Sequence, residues 1–562
     1  MEKQKLLSPI PYPLSPAIKF GTDGWRGIIA RDFTFENVGI VAQAIADYIK
    51  AECSVEGVGC SGPPRRTNLA NLHSPLHPIP YPLSPVVIVG YDNRFLSEKF
   101  ALHVARVISA NGIHSAVSQT AATSPSVSFF CKKNNCLGVM ITASHNPPDW
   151  NGLKIKLQYG GSVSEKIINT ISKHLYKSAV KTNNEDIQQL SLRGRSDDLA
   201  MTRRVDIISD YKKYLKSLVR LNPSSKSKIV LDYMHGSGVG IFESVCGGFK
   251  NDSQSHSESR ITGRRISKIY SIHNSHDPLF AGVNPEPIEK NLTELKKVVL
   301  KNGAAVGFAF DGDADRLGVI DDKGRYLSPH IVFPLILLYL VEGRKIKGKV
   351  VQAISLGYLS ERIAKKFCLP FEEVPVGFKY VCEKMLAENV LLGGEESGGY
   401  GWKGSIPERD GILNALLITE MLSQTKKKLS QLVDDLQKRF GKSYYLRRDI
   451  KLSKPVDKQE FVKQIEQKIR PNSSAFGGNS WQFASRLGGI KEIRTYDGIK
   501  IIFDPSRLGG TGWLLLRPSG TEPILRTYSE TDSLGKTKKL LDFAEKICDN
   551  LTTAKQTQNI SR

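Results

Sequence analysis

Cysteine is scarce in this chain. Eight occur among 562 residues, scattered at Cys53, Cys60, Cys131, Cys136, Cys246, Cys368, Cys382 and Cys548. None form a CxxC pair, which argues against structural zinc and a disulfide framework and fits a reducing cytoplasm. No apolar run is long enough to span a bilayer; the longest, Ile331 to Val341, reads as a buried helix. Met1 to Pro16 holds no apolar h-region, so neither a secretory signal nor a membrane partner is expected. Acid is short relative to base, 56 Asp and Glu against 79 Lys and Arg, for a formal net charge of +23. Nucleic-acid binders usually gather such charge on one helix or tail, and here it is spread along the chain. A positive field that concentrates a phosphorylated metabolite is the better use of it. The rest of the composition is that of a soluble globular protein, with length for roughly three or four domains.

What the chain does hold is a set of polar loops at the ends of apolar runs. Gly138-Val139-Met140-Ile141 reads as a buried strand and leads into Thr142-Ala143-Ser144-His145-Asn146-Pro147-Pro148. Proline fixes φ and keeps the preceding residue extended, so Ser144 is expected on a stiff loop with its hydroxyl presented. Upstream, Gly21-Thr22-Asp23-Gly24-Trp25-Arg26-Gly27 is a tight turn carrying one arginine. A helix is expected over Phe35 to Lys50. Val86 to Val89 reads as a strand followed by Gly90-Tyr91-Asp92-Asn93-Arg94 and a helix over Ser97 to Ala110. This alternation marks a parallel α/β sheet.

Ala305 to Phe310 reads as a strand that delivers Asp311-Gly312-Asp313-Ala314-Asp315-Arg316. Three alternating carboxylates on a tight loop are costly without a cation, and a hard divalent ion is the natural partner. An EF-hand is excluded, because Arg316 and Asp322 stand where Gly and Glu are required. Gly377-Phe378-Lys379 opens a helix, where N–H groups and one ammonium meet an anion. Gly394-Glu395-Glu396-Ser397-Gly398-Gly399 offers the mixed donors and acceptors that suit sugar hydroxyls. In the last block, strands are expected near Leu446–Leu452, Ile493–Ile502 and Trp513–Leu516, with helices at Asp457–Ile469 and Leu534–Leu551. Arg517-Pro518-Ser519-Gly520-Thr521-Glu522-Pro523 makes a phosphate cradle of guanidinium, hydroxyl and N–H donors.

A rigid serine, a cation site, a hydroxyl site and a phosphate site together describe phosphoryl transfer on a hydroxylated substrate. The four loops, in this order, resemble those of the α-D-phosphohexomutases, the phosphoglucomutase and phosphomannomutase enzymes. The resemblance implies four domains around one cleft, three α/β and a smaller C-terminal α+β domain that rotates to close. The boundaries expected are 1–195, 196–325, 326–442 and 443–562, with surface insertions at about 51–85, 251–276 and 473–490 and a linker over Thr182 to Arg203. It implies that Ser144 is carried as phosphoserine and that Ser144, Asp311, Asp313 and Asp315 bind Mg²⁺. The phosphoryl group passes to a hexose phosphate through a hexose 1,6-bisphosphate. Lys154 becomes the general acid/base and His145 its supporting partner; a lysine in a cationic cleft gives up its proton more readily, as that work needs. Arg26 and Arg316 clamp the transferring group. Gly377, Lys379, Glu395, Ser397, Arg517, Ser519, Gly520, Thr521 and Arg526 bind substrate. Glucose 1-phosphate and glucose 6-phosphate are the expected pair, with mannose or both sugars as the alternative and a non-catalytic regulatory homologue a distant one. Two departures stand out. Ser405 sits where many relatives carry histidine, and Gly520 where many carry asparagine.

Overall fold

The computed structural model describes residues 18–21, 24–55, 86–182, 203–221, 227–247, 268–453, 456–469, 489–508, 510–519 and 523–557. Four sheets follow one another along the chain. The first contains β1 (Trp25–Ile28), β2 (Val86–Tyr91), β3 (His114–Ser118), β4 (Leu137–Ile141), β5 (Trp150–Leu157), β6 (Gly161–Ser162) and β7 (Arg203–Val205). Its order is β1-β5-β4-β2-β3-β7, with β6 beside β5. β4, β2, β3 and β7 run parallel, and β5 and β1 are antiparallel additions at one edge. All five residues of β4 are buried, as the run Leu137 to Ile141 requires of a strand covered on both faces.

The second sheet has β8 (Lys228–Asp232), β9 (Lys268–Ile272), β10 (Val306–Phe310), β11 (Leu317–Asp321) and β12 (Tyr326–Leu327), in the order β12-β11-β10-β8-β9. The third has β13 (Lys349–Ala353), β14 (Phe371–Val374), β15 (Val390–Gly394) and β16 (Tyr400–Trp402), in the order β14-β13-β15-β16. Both mix parallel pairs with one antiparallel edge. The fourth is wholly antiparallel: β17 (Tyr444–Lys451), β18 (Ile490–Arg494), β19 (Ile499–Phe503), β20 (Gly512–Pro518) and β21 (Ile524–Thr531), in the order β17-β21-β20-β19-β18. Three α/β units and one α+β unit result. One apolar core runs from the second sheet through the third and takes in Trp513, Leu515 and Tyr528 of the fourth.

Several expectations change. The helix expected to stop at Lys50 continues to Val55, into the proposed first insertion; residues 56–85 lie outside the described ones. Lys268–Ile272, placed in an insertion, is a strand that pairs parallel with β8, with Ile269 packed on one face of the sheet and Tyr270 and Ile272 on the other. Arg203–Val205, at the end of the supposed linker, is a strand of the first sheet, so the chain leaves that sheet after Val205. The single strand expected over Ile493–Ile502 is two strands, since Asp497-Gly498 turns the chain back with φ +88° at Gly498. β21 was not expected at all. The third insertion, 473–490, lies outside the described residues up to 488, and Ile490 already belongs to β18.

Candidate active site

Parallel strands β4 and β2 are neighbours, so their carboxyl-terminal loops emerge side by side, where open α/β sheets build their sites. The β4 loop carries Ser144 with φ +54°, a left-handed conformation unusual for a residue with a Cβ. Two contacts impose it. Thr142 Oγ1 accepts from the Ser144 N–H at 2.8 Å. From the β2 loop, Arg94 donates Nη2 to the carbonyls of Ser144 (2.6 Å) and Asn146 (2.7 Å), and Nη1 to those of Pro147 (2.7 Å) and Trp150 (3.0 Å). The Arg94 side chain is fully enclosed and paired with Asp92. The loop is therefore shaped by a guanidinium as well as by its prolines.

The loop after β10 meets it. A Cβ on Gly312 would lie 2.6 Å from the Ser144 carbonyl oxygen, so a glycine is needed for the two loops to touch. Ser144 Oγ donates to Asp311 Oδ2 at 2.6 Å. Asp311, Asp313 and Asp315 are all buried, and one oxygen of each lies within 4.8 Å of the others. Burial, and then Asp315 and Asp313, push the Asp311 carboxyl well above its ordinary range. Burial also acts on Asp313, but the Lys154 ammonium, the Ser124 hydroxyl and Arg409 outweigh it and hold that carboxyl below. Asp313 Oδ1 and Asp315 Oδ1 are buried with no hydrogen-bond partner. Crowded carboxylates with buried oxygens that make no hydrogen bond are a donor set that fits a hard divalent cation.

Lys154, on β5, is buried and donates to Asp313 Oδ2 (2.8 Å) and Asp315 Oδ2 (2.9 Å). Its surroundings are thus anionic at short range, opposite to the cationic cleft expected for it. His145 Nδ1 lies 3.5 Å from Ser144 Oγ. Burial, followed by Arg316, Arg26, Lys154 and Arg94, holds the imidazole well below its ordinary value and keeps it neutral. Arg26, on β1, donates Nη1 to Asn146 Oδ1 at 2.9 Å and so braces the same loop. The Arg316 guanidinium lies 3.9 Å from Asp311 and 3.8 Å from Asp315.

The third sheet brings the sugar loop to this group: Leu317 N–H donates to the Gly398 carbonyl at 3.0 Å. Glu395 is buried and accepts from Gly377 N–H (2.8 Å) and Arg409 Nη1 (3.2 Å), and burial raises its carboxyl despite Arg409. Ser397 Oγ is buried without a partner, an acceptor and donor in waiting. Lys379 is held by Glu165 at 2.8 Å, so the ammonium at this helix opening already has one carboxylate. Ser405 is used up in its own turn, donating to the carbonyls of Trp402 and Ile406. From the fourth sheet, Arg517, next to last on β20, stands opposite Arg526 on β21, with Glu396 of the sugar loop among its neighbouring charges. Ser519 N–H closes the hairpin on the Ile524 carbonyl, while Gly520 and Thr521 lie outside the described residues.

Sequence models of one family's four domains match the chain in this same order. They are phosphoglucomutase/phosphomannomutase alpha/beta/alpha domain I over residues 82–181, domain II over 209–324, domain III over 328–440 and the C-terminal domain over 505–547. The chain belongs to the α-D-phosphohexomutase family. A phosphoglucomutase/phosphomannomutase of Thermococcus kodakarensis is 28% identical over 94% of this chain and 98% of its own length. A phosphoglucosamine/phosphogalactosamine mutase of Sulfurisphaera tokodaii is 26% identical over 94% and 99%. The crystal structure of a putative phosphomannomutase from Thermus thermophilus superposes with a TM-score of 0.71 at 26% identity, covering 95% of this chain and all of that one. As a phosphohexomutase the chain is an enzyme, an intramolecular phosphotransferase of the isomerase class.

Three residues of this phosphohexomutase site escaped the sequence reading. Arg94 holds the serine loop. Ser124 opens a helix (Ser124–Asn134) and donates Oγ to Asp313 at 2.5 Å. Arg409 bridges Asp315 (2.8 Å) and Glu395 (3.2 Å), joining the metal loop to the sugar loop. The one sequence signal was positional for Arg94, which follows a strand as Ser144 does; Ser124 and Arg409 carried none.

Proposed function

We propose that this enzyme interconverts hexose 1-phosphate and hexose 6-phosphate through a phosphoserine at Ser144 and a hexose 1,6-bisphosphate, with glucose 1-phosphate and glucose 6-phosphate as the main pair. The observation that carries the proposal is the Ser144 hydroxyl, 2.6 Å from Asp311 within a buried three-carboxylate group that has two oxygens without a hydrogen bond. Phosphoryl transfer is mostly positioning and charge stabilisation, which a carboxylate group of this kind can serve through the cation it would hold. Asp311, Asp313, Asp315 and Ser144 would hold Mg²⁺, which when bound neutralises the carboxylates and charge on the transferred group. Arg26 and Arg316 flank Ser144 as clamps. Lys154, between Asp313 and Asp315, is the group placed to hold or move a proton, and neutral His145 orients the serine. Glu395 and Ser397 take the sugar hydroxyls. Gly377, Lys379, Arg517, Ser519, Gly520, Thr521 and Arg526 take the distal phosphate, whose charge the net +23 of the chain attracts.

A second reading, glucosamine phosphate as substrate, is favoured by the aminosugar mutases among the relatives. A coupled assay on glucose, mannose and glucosamine 1-phosphates, with Mg²⁺ and a bisphosphate primer, separates them. Glucose 1-phosphate should turn over fastest, and Ser144→Ala should fall to background with its fold intact. Faster turnover of glucosamine 1-phosphate would install the second reading; activity surviving in Ser144→Ala would end the phosphoserine mechanism.

A further inference from the structure

The hairpin β18–β19 is one of the places where the fourth sheet meets the third, and the acid at its tip faces two ways. The Asp497 carboxylate, almost fully enclosed, accepts from the Val376 N–H at 2.7 Å, in the loop just before Gly377. The same Oδ2 accepts from Arg517 Nε at 3.0 Å, and Lys458 pairs with Oδ1. The β19–β20 register sets Ile499 against Leu516, which puts Gly498 across from Arg517. A Cβ at Gly498 would lie 2.5 Å from the Leu516 carbonyl oxygen, so only glycine lets the turn ride this close to the Arg517 backbone. Further along the hairpin, Lys500 donates to Glu373 (2.7 Å) and to the Ile354 carbonyl (2.8 Å), and Arg494 pairs with Glu373, on the edge strand β14. The hairpin is thus fastened to the third sheet beside the loop that leads into Gly377 and Lys379.

We propose that Asp497 is a positioning residue for the distal-phosphate site. By taking the Nε edge of Arg517 it sets the direction in which Nη1 and Nη2 present their fork, the geometry a phosphate needs. By taking the Val376 N–H with the same oxygen it sets the Gly377 loop against that fork. This carboxylate joins the arginine half of the site, from the fourth sheet, to the backbone half, from the third. The inference rests on the reading of Arg517 as a phosphate-binding residue.

Steady-state kinetics on the full chain with a hexose 1-phosphate, for Asp497→Ala, Asp497→Asn, Lys458→Met and Arg517→Ala, test it. Asp497→Ala should raise KM about tenfold with kcat within roughly threefold, the pattern of lost ground-state and transition-state binding in equal measure. Asp497→Asn keeps an acceptor for both N–H groups and should recover most of that KM. Lys458→Met, which removes the partner on the far oxygen, should leave KM unchanged. Hydrogen exchange at the Val376 amide should quicken in Asp497→Ala and not in Asp497→Asn. If Arg517→Ala raises KM while Asp497→Ala leaves it unchanged, at whatever cost in melting temperature, the positioning role is overturned and the phosphate site stands. If Arg517→Ala itself leaves KM unchanged, the underlying reading fails and this inference with it.

Discussion

Replacing Arg94 by lysine asks what keeps Ser144 in its left-handed conformation. The guanidinium is enclosed, paired with Asp92, and reaches four main-chain carbonyls at 2.6 to 3.0 Å. Lysine keeps a positive charge near Asp92 but brings one nitrogen with three donors to a place where a planar fork served four acceptors. At least one charge-assisted bond is lost, worth about 1.5–3 kcal/mol, and water recovers part of it because the loop is only part-buried. A loss of about 2 kcal/mol in stability is expected. The rate should suffer more, since displacing a reacting group by about 1 Å costs roughly a hundredfold. Pro147→Ala is the control: it acts mainly by loosening the unfolded chain, for about 0.4–1 kcal/mol. Urea unfolding and the coupled mutase assay, run on both variants, decide between them. If Arg94→Lys keeps activity within about threefold of the parent while Pro147→Ala loses a hundredfold, the prolines hold the serine and the reasoning from Arg94 is wrong.

Two further outcomes are expected. His330 is buried, stacked on Tyr445 at 3.5 Å and bonded through Nε2 to the Ser355 carbonyl, and burial pushes its imidazole down to about 3. The folded state then binds fewer protons than the unfolded one between pH 6.5 and 3, so this contribution is complete above pH 6.5 and is lost as pH falls, by about 2 kcal/mol at pH 5. In His330→Gln the urea midpoint should fall less between pH 7 and pH 5 than in the parent; parallel losses would refute the assignment. Lys156 and Glu408 form a fully enclosed pair joining β5 to the turn before the helix Gly411–Thr425. Lys156→Met strands a buried carboxylate and should cost about 3–5 kcal/mol, most of it regained on adding Glu408→Leu. Equal urea midpoints for the single and double variants would show that the pair carries no such penalty.

How far the site could be read from the chain depended on how local each signal was. The serine loop, the aspartate loop and the sugar loop each occupy a few consecutive residues with a composition unlike their surroundings, and each lies where expected, at a strand end. The hairpin strands β18 and β21 were blurred or missed because their packing partners are other strands of the same sheet, not neighbours in sequence. Lys268–Ile272 was hidden by the Ser- and Arg-rich stretch before it. The prolines after Ser144 drew attention as a stiffening device, while the arginine fifty positions earlier, which binds four carbonyls of that loop, carried no local mark. Lys154 was expected in a cationic cleft, yet two carboxylates lie within 2.9 Å of it. Net charge describes the far field, and a buried ammonium responds to its immediate partners.

The sequence by itself determined the reaction family, since four loop compositions in a set order leave few other chemistries, and it determined the α/β character of the first three units through apolar strands alternating with helices. Only the tertiary structure decided which loops touch. Arg94 against Ser144, Ser124 against Asp313, Arg409 between Asp315 and Glu395, and Asp497 between Val376 and Arg517 are contacts across sheet crevices and between sheets. Such contacts join positions far apart in the chain, and no periodicity or spacing encodes them; they exist because buried charges and carbonyls must each find a partner once the sheets have packed.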